Sequence, residues 1–379
     1  MTPASPRRKE FLHYVRPWVG DEELKELNEV LESGWLTTGP KSVKFEESMR
    51  NYLGCRNVVC TSSCTAAMHL SLLASGVGHG HEVIVPDLAF MSDASVVEMV
   101  GATPVLADID PETLTISIGD LKRRLSPKTK AITAVHYAGH PCELDELLEI
   151  AEERGIELIQ DGAHALASEY KGKKIGTIGN VTCFSFHAVK NLTGGEGGAV
   201  ATPNDEIAEK IRRTRLFGIA NRKMVELGYK YNMSELHAAL CLAQLKKLPS
   251  FQKRRERIVE RYFDTFGGSE FVELPIVRPY VKHSWHLFVV KLRLRNLRCS
   301  RDDFKNQLTN ENIGSQVHFE PIHDQPYFSG RFTPSDYPVT ADMSERILSI
   351  PLYPKMSDSD VADVIAAMNN VFKKNSRSF

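Results

Sequence analysis

Ala131-Ile132-Thr133-Ala134-Val135, a charged helical period from Leu144 to Glu153, and Ile156-Glu157-Leu158-Ile159 running on to Asp161 decide the fold of this chain. The two apolar runs are too short for helices and read as buried strands. Strand, helix, strand in that order makes a parallel crossover. The alternation extends outward from this unit. Toward the N-terminus, Val58-Val59 is followed by a helix from Thr65 to Ala74, and Val83-Ile84-Val85 by a helix from Ser92 to Val100. Pro104-Val105-Leu106-Ala107 precedes a charged helix around Leu121, and Val181–Phe186 and Gly198–Thr202 complete the set. The expectation is an α/β domain on a mainly parallel sheet.

The pattern changes after Ser234. Ser234 to Leu248 reads as an amphipathic helix stopped by Pro249, and Gln252 to Phe266 as a second, charged helix. Strand-like Leu287-Phe288-Val289-Val290 and a last helix near Val361–Phe372 follow. This predicts a large α/β domain over 1–249, with an N-terminal segment, and a smaller α+β domain over 250–379. Lys253-Arg254-Arg255-Glu256-Arg257 reads as a solvated helix face. No internal repeat or low-complexity stretch is present.

Composition narrows the function classes. Of 379 residues, 47 are Lys or Arg and 48 are Asp or Glu, a net charge of −1. A protein that tracks phosphates by bulk charge needs a basic excess, so nucleic acid is not expected as a partner. No apolar run is long enough for a bilayer, and the first ten residues lack a secretory apolar core. Seven cysteines, an odd number without a CxxC pair, read as reduced thiols in a cytoplasmic protein. Gly76-Val77-Gly78-His79-Gly80 lies between helix and strand, the reverse of a dinucleotide fingerprint, and no Walker A motif exists. His283, His286, His318 and His323 carry no HExxH-like pattern, so no metal is expected; they read as substrate contacts or structural hydrogen bonds.

Four places carry candidate chemistry. Asp161 ends a strand at the edge where α/β proteins gather ligands. It is either a cap for the turn Gly162-Ala163-His164 or a carboxylate facing a ligand cation. Lys190 follows the strand Cys183–Phe186 and precedes Gly194-Gly195-Glu196-Gly197-Gly198. Close backbone packing there would desolvate the amine and lower its pKa enough for it to act as a nucleophile. An aldehyde cofactor is the natural electrophile, and pyridoxal 5′-phosphate requires such a lysine plus an aspartate for its ring nitrogen. Thr61-Ser62-Ser63-Cys64-Thr65-Ala66-Ala67 spans a strand-to-helix junction, either a simple cap or a phosphate cradle, to which Ser185 could add a hydroxyl. Alternation puts Ser185 on the face opposite Phe184 and Phe186. Phe90, after the turn that follows Val83–Val85, is either core or a ring that stacks on a flat ligand.

Taken together, these segments resemble the DegT/DnrJ/EryC1/StrS family of pyridoxal-phosphate-dependent sugar aminotransferases, nearly end to end. The resemblance runs from Ser33-Gly34-Trp35-Leu36-Thr37-Thr38-Gly39-Pro40 through Ser62–Ala67, Val135–Gly139 and Gln160–Ala165. It continues with Ser185–Asn191 plus Gly194–Gly198, then Gly228–Glu235 and Ile350–Pro354. It implies fold type I, the aspartate-aminotransferase-like fold, in a homodimer with shared active sites. It assigns Lys190 the covalent link to the cofactor, Asp161 the pyridine nitrogen, and His164 a contact near the ring oxygen. Thr65, Ala66 and Ser185 would hold the phosphate, and Phe90 would stack on the ring. The partner subunit would supply the turn Tyr229–Asn232. Here Tyr-Lys-Tyr-Asn replaces one common version, Tyr-Asn-Tyr-Arg, as in the branch that includes the 4-amino-arabinose enzymes, so either Lys230 or Asn232 would meet the phosphate.

The implied reaction moves an amino group from glutamate, released as 2-oxoglutarate, to a keto-sugar, with nucleotide-linked sugars of polysaccharide or antibiotic pathways the expected class. Loops around Thr37, Met91 and His318–His323 would face that substrate. Three alternatives stand beside it. They are an aminotransferase for a cyclitol or aromatic keto substrate, a sugar dehydratase, and a non-catalytic cofactor-binding regulator. The dehydratase branch carries histidine at the lysine position, so Lys190 argues against it.

Overall fold

The computed structural model describes residues 8–377, which leaves the stretch 1–7 of the N-terminal reading outside the described residues. Its central sheet has seven strands: β1 (Asn57–Thr61), β2 (Glu82–Pro86), β3 (Thr103–Ala107), β4 (Thr129–Val135), β5 (Glu157–Asp161), β6 (Val181–Ser185) and β7 (Gly198–Thr202). They lie in the order β1-β7-β6-β5-β4-β2-β3. Only β7 runs against its neighbours; the other pairings are parallel. The fold is thus α/β with a mostly parallel sheet. A sheet with helices on both faces buries both sides of each strand, which explains why β6 and β7 are buried throughout.

Successive residues alternate between two cores. Ile132 and Ala134 of β4, Leu158 of β5 and Phe184 of β6 pack on one face with Leu144 and Leu147. Ala131 and Val135, Ile159 and Cys183 point to the other, against Ala67, Met68 and Leu70. The helix α1 (Cys64–Ala74) carries the latter group, and its first turn is capped by the Ser63 hydroxyl, which accepts from the Ala66 N–H at 3.0 Å. The Ser33–Pro40 segment is tied from a distance. Buried Glu235 accepts from the N–H groups of Gly39, Lys41 and Ser42 at 2.6–2.9 Å, capping the helix Pro40–Leu53. A Cβ on Gly39 would lie 2.4 Å from the Trp35 indole nitrogen, so a larger residue there would displace the exposed indole.

Two expectations from the sequence are corrected here. Pro249 does not stop a helix: α2 runs unbroken from Glu235 to Phe266. Proline removes a single hydrogen bond and strains one turn. Each side of it is held by its own core, Cys241, Leu242, Leu245 and Leu248 under the large sheet and Ile258, Val259, Tyr262 and Phe266 in a second cluster. That second cluster lies on a three-stranded antiparallel sheet of Val272–Glu273, Phe288–Leu292 and Ile347–Ile350. The basic run 253–257 is not a solvated face throughout. Arg255 is 2% exposed and donates from Nη1 to the carbonyls of Trp285, His286 and Leu352. A guanidinium can be buried there because three backbone oxygens converge on it.

Candidate active site

The carboxyl ends of β4, β5 and β6 open onto a cavity of about 310 Å³ lined by Val135, Asp161 and Ser185. Ligands collect at this edge because parallel strands end there and helices begin. The loop after β2 contributes Phe90 and the helix that follows it Ser92, and the N-terminus of α1 contributes Ser63, Cys64 and Thr65. The loop between β6 and β7 brings Lys190, Glu196 and Gly197.

That loop is shaped by its glycines. The Phe186 N–H donates to the Gly197 carbonyl at 2.8 Å and the Gly194 N–H to the Phe186 carbonyl at 2.7 Å, so the chain folds back on the strand end. A Cβ on Gly198 would stand 2.3 Å from the Ser63 carbonyl carbon. Glycine therefore allows β7 to abut the N-terminus of α1, where the first amide groups precede any intrahelical acceptor and favour an anion. Asn191 fixes the lysine loop from the other side, donating to the Ser284 carbonyl at 2.9 Å and facing His286 Nδ1 at 3.0 Å.

Asp161 and Lys190 stand in the same cavity without an ion pair between them among the described residues. Asp161 Oδ1 accepts from the Ala163 N–H at 2.7 Å and lies 3.7 Å from the Cys64 sulfur. Asp161 thus caps the following turn and also lines the cavity. Burial raises its pKa, opposed by the Ala163 N–H and the Lys190 charge. Burial lowers that of Lys190, opposed chiefly by the nearby Asp161 carboxylate.

His164 accepts from the Ala138 N–H at Nδ1, 3.2 Å, and its ring lies 4.4 Å from that of His286. Burial, with the Lys190 charge added, holds both imidazoles neutral. His318 meets the Ser349 hydroxyl at 2.8 Å, and burial lowers its pKa to about 3. Phe90 is 48% exposed, so it is not a core residue; its ring meets Phe319 edge-on at 5.6 Å. Ser185 faces the cavity while Phe184 and Phe186 pack in the opposite core.

The structure brings Lys190, Asp161, Thr65, Phe90, His164, Ser185 and His318 into the cavity wall. It does not bring five others there. The Ala66 amide is taken by the Ser63 hydroxyl. Lys230 Nζ donates to Asn232 Oδ1 at 2.6 Å, and Asn232 Nδ2 to the Thr38 hydroxyl at 2.7 Å, beside exposed Thr37. His323 is buried against Asp87, with Nδ1 2.5 Å from Oδ2 and its own N–H on Oδ1 at 2.9 Å; that carboxylate raises its pKa.

Sequence reasoning missed part of the wall. Tyr14 and Val15 reach the cavity because Leu12 bridges Ile313 and the Leu352 N–H meets the Tyr14 carbonyl, pairings that no local pattern announces. Leu287, Phe319, Ile350 and Leu352 also line it. Ile350 and Leu352 sit in the Ile350–Pro354 landmark, which was the available signal.

A lysine amine free of hydrogen bonds to described residues, a carboxylate opposite it, a helix N-terminus for an anion and a flanking aromatic ring suit a phosphorylated pyridine aldehyde. The model of the DegT/DnrJ/EryC1/StrS aminotransferase family matches residues 17–369. The spore coat polysaccharide biosynthesis protein SpsC of Bacillus subtilis is 42% identical over 97% of this chain and 98% of its own. Spr1654 of Streptococcus pneumoniae, described as a candidate sugar aminotransferase, superposes in its apo form with a TM-score of 0.92 at 32% identity, over 96% of this chain and 98% of its own, and it is also solved in PLP and PMP forms. PseC of Helicobacter pylori, an aminotransferase of pseudoaminic acid biosynthesis, gives 0.90 at 28% identity, over 97% of this chain and all of its own. The chain belongs to the DegT/DnrJ/EryC1/StrS aminotransferase family and has the fold type I architecture of its pyridoxal-phosphate-dependent enzymes.

Proposed function

We propose that this protein transfers an amino group from glutamate to a keto-sugar carried on a nucleotide, during synthesis of an amino sugar. Aminotransfer and dependence on pyridoxal 5′-phosphate come with the family. The sugar is supported by the relatives that name sugar or polysaccharide synthesis. Glutamate as donor, the nucleotide, the homodimer and the cytoplasm are this reading's own additions. No described helix is long and apolar enough to cross a membrane. The division into 1–249 and 250–379 is kept as part of the same reading, with α2 running through both parts.

The observation that carries it is the placement of Lys190 and Asp161 in one cavity with the N-terminus of α1. When bound, the cofactor supplies an aldehyde carbon and an electron-withdrawing ring. This chain supplies the rest. Asp161 would hold the ring nitrogen's proton, and the amides and hydroxyls of Thr65 and Ser185 would hold the phosphate. His164 would contact the ring oxygen as a neutral imidazole, and Phe90 would cover one face. Lys190 Nζ, its proton affinity lowered by burial, is the base and then the acid that moves one proton between the two carbons of the exchange. Lys230 or Asn232 of a second copy would complete the phosphate site, while Thr37, His318 and His323 are the substrate-side candidates. Of these, His318 stands in the wall.

Adding glutamate alone to the cofactor-loaded protein tests this. The expected result is conversion of the bound cofactor to its amine form with one equivalent of 2-oxoglutarate released, then turnover with a nucleotide keto-sugar. Inertness toward glutamate and glutamine alike would favour the regulator reading. Conversion followed by acceptance of only cyclitol or aromatic ketones would replace the sugar.

A further inference from the structure

A second buried carboxyl group lies within electrostatic reach of Asp161. Asp93 is in the first turn of the eight-residue helix α3 (Ser92–Met99), next to Ser92 of the cavity wall and three residues after Phe90. It is 0% exposed, and neither carboxyl oxygen has a hydrogen-bond partner in the structure. Buried polar groups nearly always have partners, so this vacancy of partners requires a physical account. An ionised carboxylate there would be unpaired and dry. The field of a short helix's first turn favours a negative charge, but that is a small gain beside the cost of burying one without a partner.

The groups that face it decide which carboxyl keeps the proton. Asp161 on β5, Lys190 on the loop after β6, and the thiols of Cys64 on α1 and Cys183 on β6 all lie within electrostatic reach of Asp93. Burial holds both thiols protonated. Asp161 has the Ala163 N–H at 2.7 Å and the Cys64 sulfur at 3.7 Å to stabilise an anion, whereas Asp93 has neither. Two carboxyl groups that share a dry site do not both ionise; the less supported one retains its proton.

We propose that Asp93 is a positioning residue that stays protonated beside Asp161, so that the one negative charge on this floor of the cavity resides on the carboxylate that faces the ligand. Burial first, and then the Asp161 charge, push the Asp93 pKa well up, against the smaller opposing effects of its own backbone N–H and the Lys190 charge. The effect on a cofactor ring rests on the function proposed above; the location of the proton does not, so the test uses apoenzyme and separates the two.

The sign of the linkage is definite. Unfolded Asp93 ionises near the ordinary aspartate value of about 3.9 and folded Asp93 far above it, so between those values the native state binds the extra proton. Its contribution is fully present in acid and is lost as pH rises. Asp93→Asn, a neutral mimic of the acid, should therefore stabilise the apoenzyme against urea relative to wild type by a ratio that grows with pH from 5 to 8, by up to about tenfold per pH unit. Wild type should show the infrared carbonyl stretch of a protonated carboxylic acid in that range, absent from Asp93→Asn. In an Asp161→Asn background, loss of the neighbouring charge should move the plateau of the Asp93→Asn effect to lower pH. If Asp93→Asn does not fold, Asp93→Ser and the infrared titration of wild type carry the comparison. A stability difference flat in pH, or no protonated-acid band lost with Asp93, would show an ionised Asp93 and overturn the proposal. A band that is lost with Asp93 but a plateau unmoved by Asp161→Asn would overturn the coupling, and with it the positioning role.

Discussion

The floor of the cavity and the turn Tyr229–Asn232 are both rich in polar groups, yet they are built on opposite principles. On the floor, Asp161, Lys190 and His164 are held by backbone, kept from water and shifted in proton affinity by burial. At the turn, Lys230 and Asn232 satisfy one another and Thr38 near the surface. The rings of Tyr229 and Tyr231 stack at 5.1 Å, braced by buried His69. The groups of the floor come together within one chain; at the turn, Lys230 and Asn232 stay outside that cavity, bonded to each other and to Thr38. Chemistry that depends on desolvation can be read from a single copy, whereas recognition that depends on a second copy cannot.

The largest effect should come from the floor. Lys190→Ala should lower turnover by about 10²–10⁴-fold or more, because the proton-moving amine and the covalent attachment point are both lost. Single-turnover measurement with glutamate reads it. Asp161→Asn should follow, on the order of 10²–10³-fold in turnover, since a fixed charge opposite the reacting system is removed. Its urea midpoint should stay near wild type, because Asn can still accept from Ala163. Normal turnover in that variant would reduce Asp161 to a cap.

Next is the junction between floor and phosphate cradle. Gly198→Ala forces a Cβ against Ser63 backbone, and overpacking of this kind costs about 1–3 kcal/mol. Weaker cofactor binding by roughly tenfold or more in equilibrium dialysis is expected; unchanged affinity would remove the cradle from the account. The effect at the turn should depend on pairing, and the return of activity that reads it is the smallest change measured. A chain altered at both Lys230 and Asn232, mixed with Lys190→Ala chains, forms dimers with one site carrying both defects and one carrying neither. Activity should return to roughly half the wild-type level per mixed dimer, an arithmetic consequence of twofold exchange. If both parents are inactive, subunits exchange and no activity returns, the turn does not cross between subunits.

How much of this was legible follows the same division. Strand–helix alternation, Asp161 at a strand end and Lys190 before its glycines are local patterns that survive folding, because short apolar runs set their structure over a few residues, even though Gly198 makes its close contact with distant Ser63. Unbroken α2 was not legible. The cost of Pro249 is local, but what offsets it comes from two cores built by distant segments. Arg255 looked solvated for the same reason, since its acceptors Trp285, His286 and Leu352 lie far along the chain. For His323 the sequence left a substrate contact and a structural hydrogen bond open, and only the fold brings Asp87 onto it to make the structural bond. Asp93 reads as an ordinary first-turn acid, and only the loss of every partner on burial sets it apart.

The account turns on Lys190 as the residue that holds the cofactor. Borohydride reduction of the cofactor-loaded protein, followed by peptide mapping, measures this directly. The result expected is a single cofactor adduct on the peptide containing Lys190, absent from Lys190→Ala. An adduct on another lysine, or none in protein that carries bound cofactor, would contradict the assignment and the role given to the floor of the cavity.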